Sequence, residues 1–512
     1  MNHRPSTIPL KVGLVSLGCA KNLVDSEVML GSLVRDGMML TEDAREADVV
    51  IVNTCGFIDG AKRESIDAVL KANELRQTGR CKALIVAGCL TQRYPKDLQK
   101  ELPEVDAIVG LNEVPRIGQI VREVLGRVGQ ASSLSSPKEM DRQDAYPTLF
   151  WSGPARYVPD YGAPRFRLTP THYAYVKIAE GCNHPCTFCS IPRIRGRHRS
   201  RPMDDVLAEI RALVANGVRE INLISQDTTF YGKDLHSIPP VTLSAAKGLA
   251  TENREICRRT TDDPLRFRFA QNDKAGDGAP TLAELLRAIQ QIPGEFWVRL
   301  LYTHPAHWTD ELIETMAAGD KICRYVDMPL QHINDRMLER MRRETDGEYI
   351  RALIRQIRDG IPGIAVRTTF IVGFPGETEA EFEELLAFIK ETQFERVGIF
   401  TYSQEDHTPA GDMSEQVPAR RKKQRYRRAM ALQQTVSREI HERLVGETLR
   451  VLIERQQNGN APRAGRKWIG RSHADAPEID GSVFVRGDAK PGEFADVRIT
   501  GAGEYDITGN VV

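Results

Sequence analysis

The chain has 512 residues, 41% hydrophobic and 27% charged, with 70 Lys plus Arg balanced by 70 Asp plus Glu. Such a composition suits a globular protein of about three domains and excludes fibrous, low-complexity and charge-driven disordered classes. No run approaches the ~20 apolar residues of a membrane span, and Met1 to Leu10 lacks an apolar core, so a cytoplasmic protein without a secretory leader is expected.

In chain order, residues 9–127 read as an α/β domain. Residues 11–17, 48–53, 83–87 and 107–109 are short apolar runs, and 26–37 and 61–76 have helical spacing. Buried strands separated by helices predict a parallel sheet. Residues 128–170, rich in Ser, Pro and Gly, read as a linker. Residues 171–417 form a second α/β region, with strands at 173–178, 220–224, 297–302, 365–371 and 396–400 and helices at 204–216, 282–290 and 379–391. Repeated βα units of this kind predict part of a barrel.

The stretch 236–278 has no sustained period, and 242–274 resembles a translated interspersed genomic repeat. So long a featureless segment within a domain reads as an insertion without a catalytic role. Residues 418–443 predict a basic connecting helix, with Arg420, Arg421, Lys422, Lys423, Arg425, Arg427 and Arg428 crowded together. Such runs are usually solvated faces; contact with ribosomal RNA is the alternative. In residues 444–512, β runs at 449–453, 468–472, 481–485 and 494–500 alternate with glycine turns, which predicts a small antiparallel barrel.

Nine cysteines, an odd number without an export signal, make a disulfide framework a poor reading. Cys182, Cys186 and Cys189 are spaced C-x3-C-x2-C. Thiolates suit iron–sulfur clusters or zinc, but structural zinc wants four ligands and this loop offers three, with His184 or a remote residue as the competing fourth. Three thiolates on a four-iron cluster leave one iron open. Cys19, Cys55 and Cys89 each follow a predicted strand. In a parallel sheet they emerge at one edge, where crevices form, and could hold a second open cluster; the alternative is that they are small buried hydrophobes. Cys81 precedes its strand, Cys257 lies in the insertion and Cys323 has no partner pattern.

The cysteine loop, with Phe188 before its last cysteine, resembles the radical S-adenosylmethionine signature. Ser16-Leu17-Gly18-Cys19-Ala20-Lys21-Asn22, Asn53-Thr54-Cys55-Gly56 and Gly88-Cys89 resemble the amino-terminal domain of methylthiotransferases, and the terminal barrel resembles their TRAM domain. The resemblance implies two [4Fe–4S] clusters, one on Cys182, Cys186 and Cys189 and one, which handles sulfur, on Cys19, Cys55 and Cys89. It also implies S-adenosylmethionine as cofactor and a flavodoxin- or ferredoxin-type electron donor. Of the family's two substrate classes, transfer-RNA adenosine and the β-carbon of an aspartate in ribosomal protein S12, Ser225-Gln226-Asp227-Thr228-Thr229 and residues 468–481 resemble the ribosomal-protein branch. The near-neutral segment 441–512, with 10 basic and 11 acidic residues, agrees with that branch, since RNA grip favours a basic surface.

By resemblance, Phe188, Gly373, Glu377 and Gln331 contact the cofactor. The stretches around Gly373 and Gln331 also read as plain βα turns, and His304 and Pro305 raise the same question. Asp227 is a candidate for contact with substrate or cofactor.

Overall fold

The computed structural model describes residues 9–132, 148–235, 279–457 and 467–512; the expected insertion at 236–278, with Cys257, lies outside them. The amino-terminal strands are β1 (Lys11–Ser16), β2 (Met39–Thr41), β3 (Val49–Thr54), β4 (Ala83–Gly88), β5 (Ala107–Val109) and β6 (Leu149–Trp151). They form one parallel sheet in the order β2-β1-β3-β4-β5-β6. Every residue of β3 and β4 is buried, because helices cover both faces and Val, Ile and Ala fill both layers.

Two edge strands are not legible in the sequence. Runs as short as β2 and β6 show no alternation, and β6 falls in the stretch read as linker. The helix Ala20–Arg35 begins earlier than its pattern predicts. Lys21, Asn22, Asp25, Ser26 and Glu27 look like a solvent face, yet all are buried: Asn22 and Ser26 bond to the ends of β1 and β3, while Lys21, Asp25 and Glu27 meet residues that follow the domain. Arg165 of the supposed linker ties the two domains together through Glu27 and Glu209.

The central region has β7 (Tyr173–Lys177), the short antiparallel pair β8 (Ala179–Glu180) and β9 (Arg199–Ser200), then β10 (Glu220–Ile224), β11 (Trp297–Leu300), β12 (Ile322–Asp327), β13 (Ala365–Val372) and β14 (Arg396–Thr401). The large sheet is parallel throughout, in the order β14-β13-β12-β11-β10-β7. Ala174, Val176, Ile221, Leu223 and Val326 point to the helical layer. The alternate residues line the concave face, among them Tyr173, Tyr175, Ile224 and Tyr325. β12 escapes the apolar-run criterion because Arg324 and Asp327 interrupt it.

The basic helix Ala419–Arg443 leads to β15 (Thr448–Gln456), β16 (Lys467–Ser472), β17 (Val483–Arg486), β18 (Phe494–Ala502) and β19 (Ile507–Val511). These close into a barrel ordered β15-β16-β17-β19-β18. The small barrel expected of this segment is present, antiparallel at every seam but one: β17 and β19 pair in parallel. A closed ring with an odd number of strands cannot alternate direction throughout, so one parallel pair is obligatory. The chain between β16 and β17 plugs the concave face of the central sheet. There Asp475 meets Arg396 at 3.2 Å, Asp480 accepts from Tyr325 Oη at 2.7 Å, and Glu478 accepts from Tyr173 Oη at 2.7 Å. No helix among the described residues is long and apolar enough to cross a membrane.

Candidate active site between two cysteine triads

β1, β3 and β4 end at one edge of the amino-terminal sheet, and each delivers a cysteine. Cys19 precedes the helix Ala20–Arg35, Cys55 follows β3, and Cys89 opens the short helix Cys89–Arg93. Gly18 adopts φ 90°, and a Cβ there would lie 2.9 Å from Cys55 Cβ and 3.2 Å from its Sγ. Only glycine allows two of the loops to approach so closely. Cys55 is fixed by Ser65, whose Oγ accepts from its N–H and donates to its carbonyl, both at 2.9 Å. The three thiols are electrostatic neighbours of one another. Burial pushes Cys89 up to about 12. At Cys19 burial acts the same way, but Lys21 and Arg195 outweigh it and the thiol is lowered.

The second triad lies on the loop after β8. Gly181 N–H donates to Gln226 Oε1 at 2.6 Å, Cys182 N–H to Gly196 O at 3.1 Å and Cys189 N–H to Cys186 O at 3.2 Å. Phe188 anchors the loop in an apolar nest of Met337, Met341, Phe374, Tyr402 and Ala410. Burial raises the Cys182 thiol and pushes Cys189 up to about 12. Arg343 Nη1 donates to Cys186 Sγ at 3.5 Å. Three soft donors converging on one loop fit an iron–sulfur cluster. Ser190 Oγ, His304 Nε2 and Arg343 Nε are buried near the loop without a protein partner, as expected where a polar ligand completes a site.

His184 is engaged by two carboxylates: its Nε2 pairs with Asp227 at 2.8 Å and its Nδ1 with Glu344 at 2.5 Å. Burial opposes the charged ring, but the two carboxylates prevail and raise it to about 9. Asp227 is committed on both oxygens: Oδ2 also accepts from His307 Nδ1 at 2.7 Å, and Oδ1 accepts from Thr229 N–H at 3.0 Å. It braces the cysteine loop through His184.

A buried layer of charge joins the triads. Arg195, on the helix Ile191–Arg195 behind the cysteine loop, donates to Cys89 Sγ at 3.3 Å, Asp25 at 3.0 Å and Glu180 at 2.9 Å. Lys177 donates to Asp25 at 2.5 Å and Glu180 at 2.6 Å. On the other side, Glu405 binds Lys62 and Arg93, each at 3.0 Å. Lys21 is buried over the Tyr302 ring. Burial pulls its ammonium down to about 8, against the attraction of Cys19 and Asp327. These residues escape sequence reasoning because their pairings join separate segments, Asp25, Cys89, Lys62 and Arg93 across the two domains and Lys177, Glu180 and Arg195 within the second. The only signal is the excess of charge on a helix face beside Cys19.

The remaining predicted residues gather at the ends of β12 and β13. Gly373 adopts φ 72°, and a Cβ there would meet Lys422 Cγ at 2.4 Å. Glu377 is spent within the protein. Its Oε2 accepts from Gly373 N–H and from Arg425 Nη1 at 2.7 Å, and its Oε1 from His332 at 3.3 Å. Gln331, at φ 74°, extends the sheet by donating to Thr369 O and accepting from Ile371 N–H, both at 2.8 Å. Within the basic helix, Arg425 and Arg428 pair with Glu379 and Lys422 donates to Tyr402 O, while Arg420, Arg421, Lys423 and Arg427 are exposed. Cys81 and Cys323 are buried apart from both triads.

A parallel half-barrel whose first strand feeds a three-cysteine loop defines a radical S-adenosylmethionine enzyme, and residues 176–389 match the Radical SAM superfamily. Residues 11–110 match Uncharacterized protein family UPF0004 and residues 445–512 the TRAM domain. Proteins named ribosomal protein uS12 methylthiotransferase RimO resemble the chain along its whole length. The one from Opitutus terrae is 51% identical, covering 97% of this chain and 96% of its own. That from Akkermansia muciniphila is 47% identical, covering 98% and 100%, and that from Heliobacterium modesticaldum 44%, covering 99% and 96%. The chain belongs to the ribosomal protein uS12 methylthiotransferase family. Its cofactors are S-adenosylmethionine and [4Fe–4S] clusters.

Proposed function

We propose that the chain methylthiolates the β-carbon of an aspartate in small-subunit ribosomal protein uS12. Cys182, Cys186 and Cys189 hold the radical-generating cluster, and Cys19, Cys55 and Cys89 hold the one that handles sulfur. When bound, these groups supply one-electron cleavage of S-adenosylmethionine, sulfur for insertion and an activated methyl group.

The protein's own residues orient and enclose. Asp227, His184 and Glu344 brace the first cysteine loop. Arg195 holds the amino-terminal triad against it through Cys89 and offsets thiolate charge there. Gly18 and Ser65 fix the approach of Cys19 to Cys55. The observation that carries this reading is the facing of two thiol triads across one buried layer of charge. Their one-electron chemistry calls for a flavodoxin- or ferredoxin-type donor. The exposed Arg420, Arg421, Lys423 and Arg427, beside a TRAM domain, fit contact with ribosomal RNA near the substrate. Cytoplasmic location follows from a ribosomal target.

Anaerobically reconstituted enzyme, offered a uS12 peptide and transfer RNA together, tests the reading. A methylthio mass gain on the peptide aspartate is expected; a gain on transfer RNA alone would overturn it.

A further inference from the structure

Lys21 carries an ammonium that the protein buries without a carboxylate partner. It lies in the first turn of the helix Ala20–Arg35, directly after Cys19, and is 7% exposed. Among the described residues no carboxylate lies within ion-pair distance of it and no acceptor takes its protons; its one close contact is the face of Tyr302. Buried lysines are normally paired, as Lys177 is by two carboxylates here.

Every neighbouring carboxylate is already committed. Asp25 accepts from Lys177 and Arg195. Glu180 accepts from the same two and from Gln226 at 2.6 Å. Asp327 accepts from Arg367 at 2.7 Å and from Tyr302 N–H at 3.1 Å. Tyr302 itself holds φ 62°, a strained conformation for a bulky residue and one that collects at functional sites. A buried cation with no carboxylate of its own, on a strained platform where the amino-terminal triad meets the strand ends of the half-barrel, is suited to an incoming carboxylate.

We propose that Lys21 is the specificity-determining residue that receives the side-chain carboxylate of the substrate aspartate and so places its β-carbon between the two cysteine triads. This rests on the ribosomal-protein reading above. In this assignment one ammonium, with Tyr302 stacked beneath to hold it, selects an acidic side chain over an amide.

Reconstituted holoenzyme with Lys21→Met and with Lys21→Arg tests the assignment against uS12 peptides carrying Asp or Asn at the target position. For Lys21→Met, KM and the calorimetric Kd for the Asp peptide are expected to rise by about 10- to 100-fold, the span of a charge-assisted hydrogen bond. Its discrimination between Asp and Asn should collapse, while Lys21→Arg recovers part of both. Iron content should match wild type. Thermal stability should be equal or higher, since no native ion pair is lost. Wild-type KM and discrimination in Lys21→Met would overturn the proposal. So would selective loss of amino-terminal cluster iron without substrate, which would make Lys21 a support for Cys19. A wild-type enzyme that leaves the Asp peptide untouched would sink the underlying reading, and this proposal with it.

Discussion

Arg195 Nη2 donates to Cys89 Sγ at 3.3 Å, so a residue from the radical half-barrel holds a thiol of the amino-terminal triad. The same guanidinium neutralises Asp25 and Glu180. Removing one partner from a buried ionic group costs roughly 3–5 kcal/mol, because the others stay buried without it. Arg195→Met is therefore expected to lower the unfolding free energy by about that amount and to shed iron from the amino-terminal site first. Arg195→Lys keeps the charge but loses the planar fork, so it should recover stability only in part. Anaerobic denaturation curves with iron counts check both.

Glu405 forms the other clasp between the same domains. Although burial works against its ionised form, hydrogen bonds from Ser403 and Lys62 and the charge of Lys62 hold its carboxyl below the ordinary 4.5. A carboxyl depressed in the folded state contributes stability that is fully present above its unfolded pKa and fades as pH falls through the folded one. The wild type should thus lose this contribution on acidification below about pH 4.5. Glu405→Gln should begin about 3 kcal/mol less stable at neutral pH and show a shallower acid slope. Denaturation at a series of pH values reads the difference, and parallel slopes would contradict it.

Glu220 anchors the carboxy-terminal barrel to the central sheet by accepting from Arg299 at 2.8 Å and Arg471 at 2.6 Å. Glu220→Gln leaves two buried guanidinium groups short of a counter-charge, and a loss of about 3 kcal/mol is expected. Limited proteolysis should then cut between the half-barrel and the basic helix sooner than in wild type. An unchanged digestion pattern and melting curve would show that the plug at Asp475, Glu478 and Asp480 suffices alone.

The class of chemistry has its own test. Reduced wild-type enzyme should release 5′-deoxyadenosine from S-adenosylmethionine, and Cys186→Ala, with two thiolates left in its loop, should release none above background. Equal release from both would remove the C-x3-C-x2-C loop from the chemistry.

Both triads were legible in the sequence because each cysteine sits at a place that local pattern can locate. Cys19, Cys55 and Cys89 follow apolar runs, and strand ends of a parallel sheet share an edge. Cys182, Cys186 and Cys189 declare themselves by spacing. What lies between them was hidden. Lys177, Glu180 and Arg195 sit on short segments whose charge reads as solvent-facing until the fold pairs them with one another and with Asp25, and Lys21 looks like an ordinary helical lysine. Glu377 and Asp227 also acquire partners that local pattern does not reveal, Arg425 and His332 for the first and His184 and His307 for the second. The parallel seam of the barrel was missed because β19, which forms it, carries the small polar Thr508, Gly509 and Asn510.

Iron and sulfide counting on oxygen-free enzyme, wild type beside the Cys19/Cys55/Cys89→Ala triple variant, bears most directly on the two-centre account. About eight iron atoms per chain are expected in the first and about four in the second, from two four-iron clusters each held by three thiolates. Equal iron in both proteins, or zinc in place of iron, would contradict it.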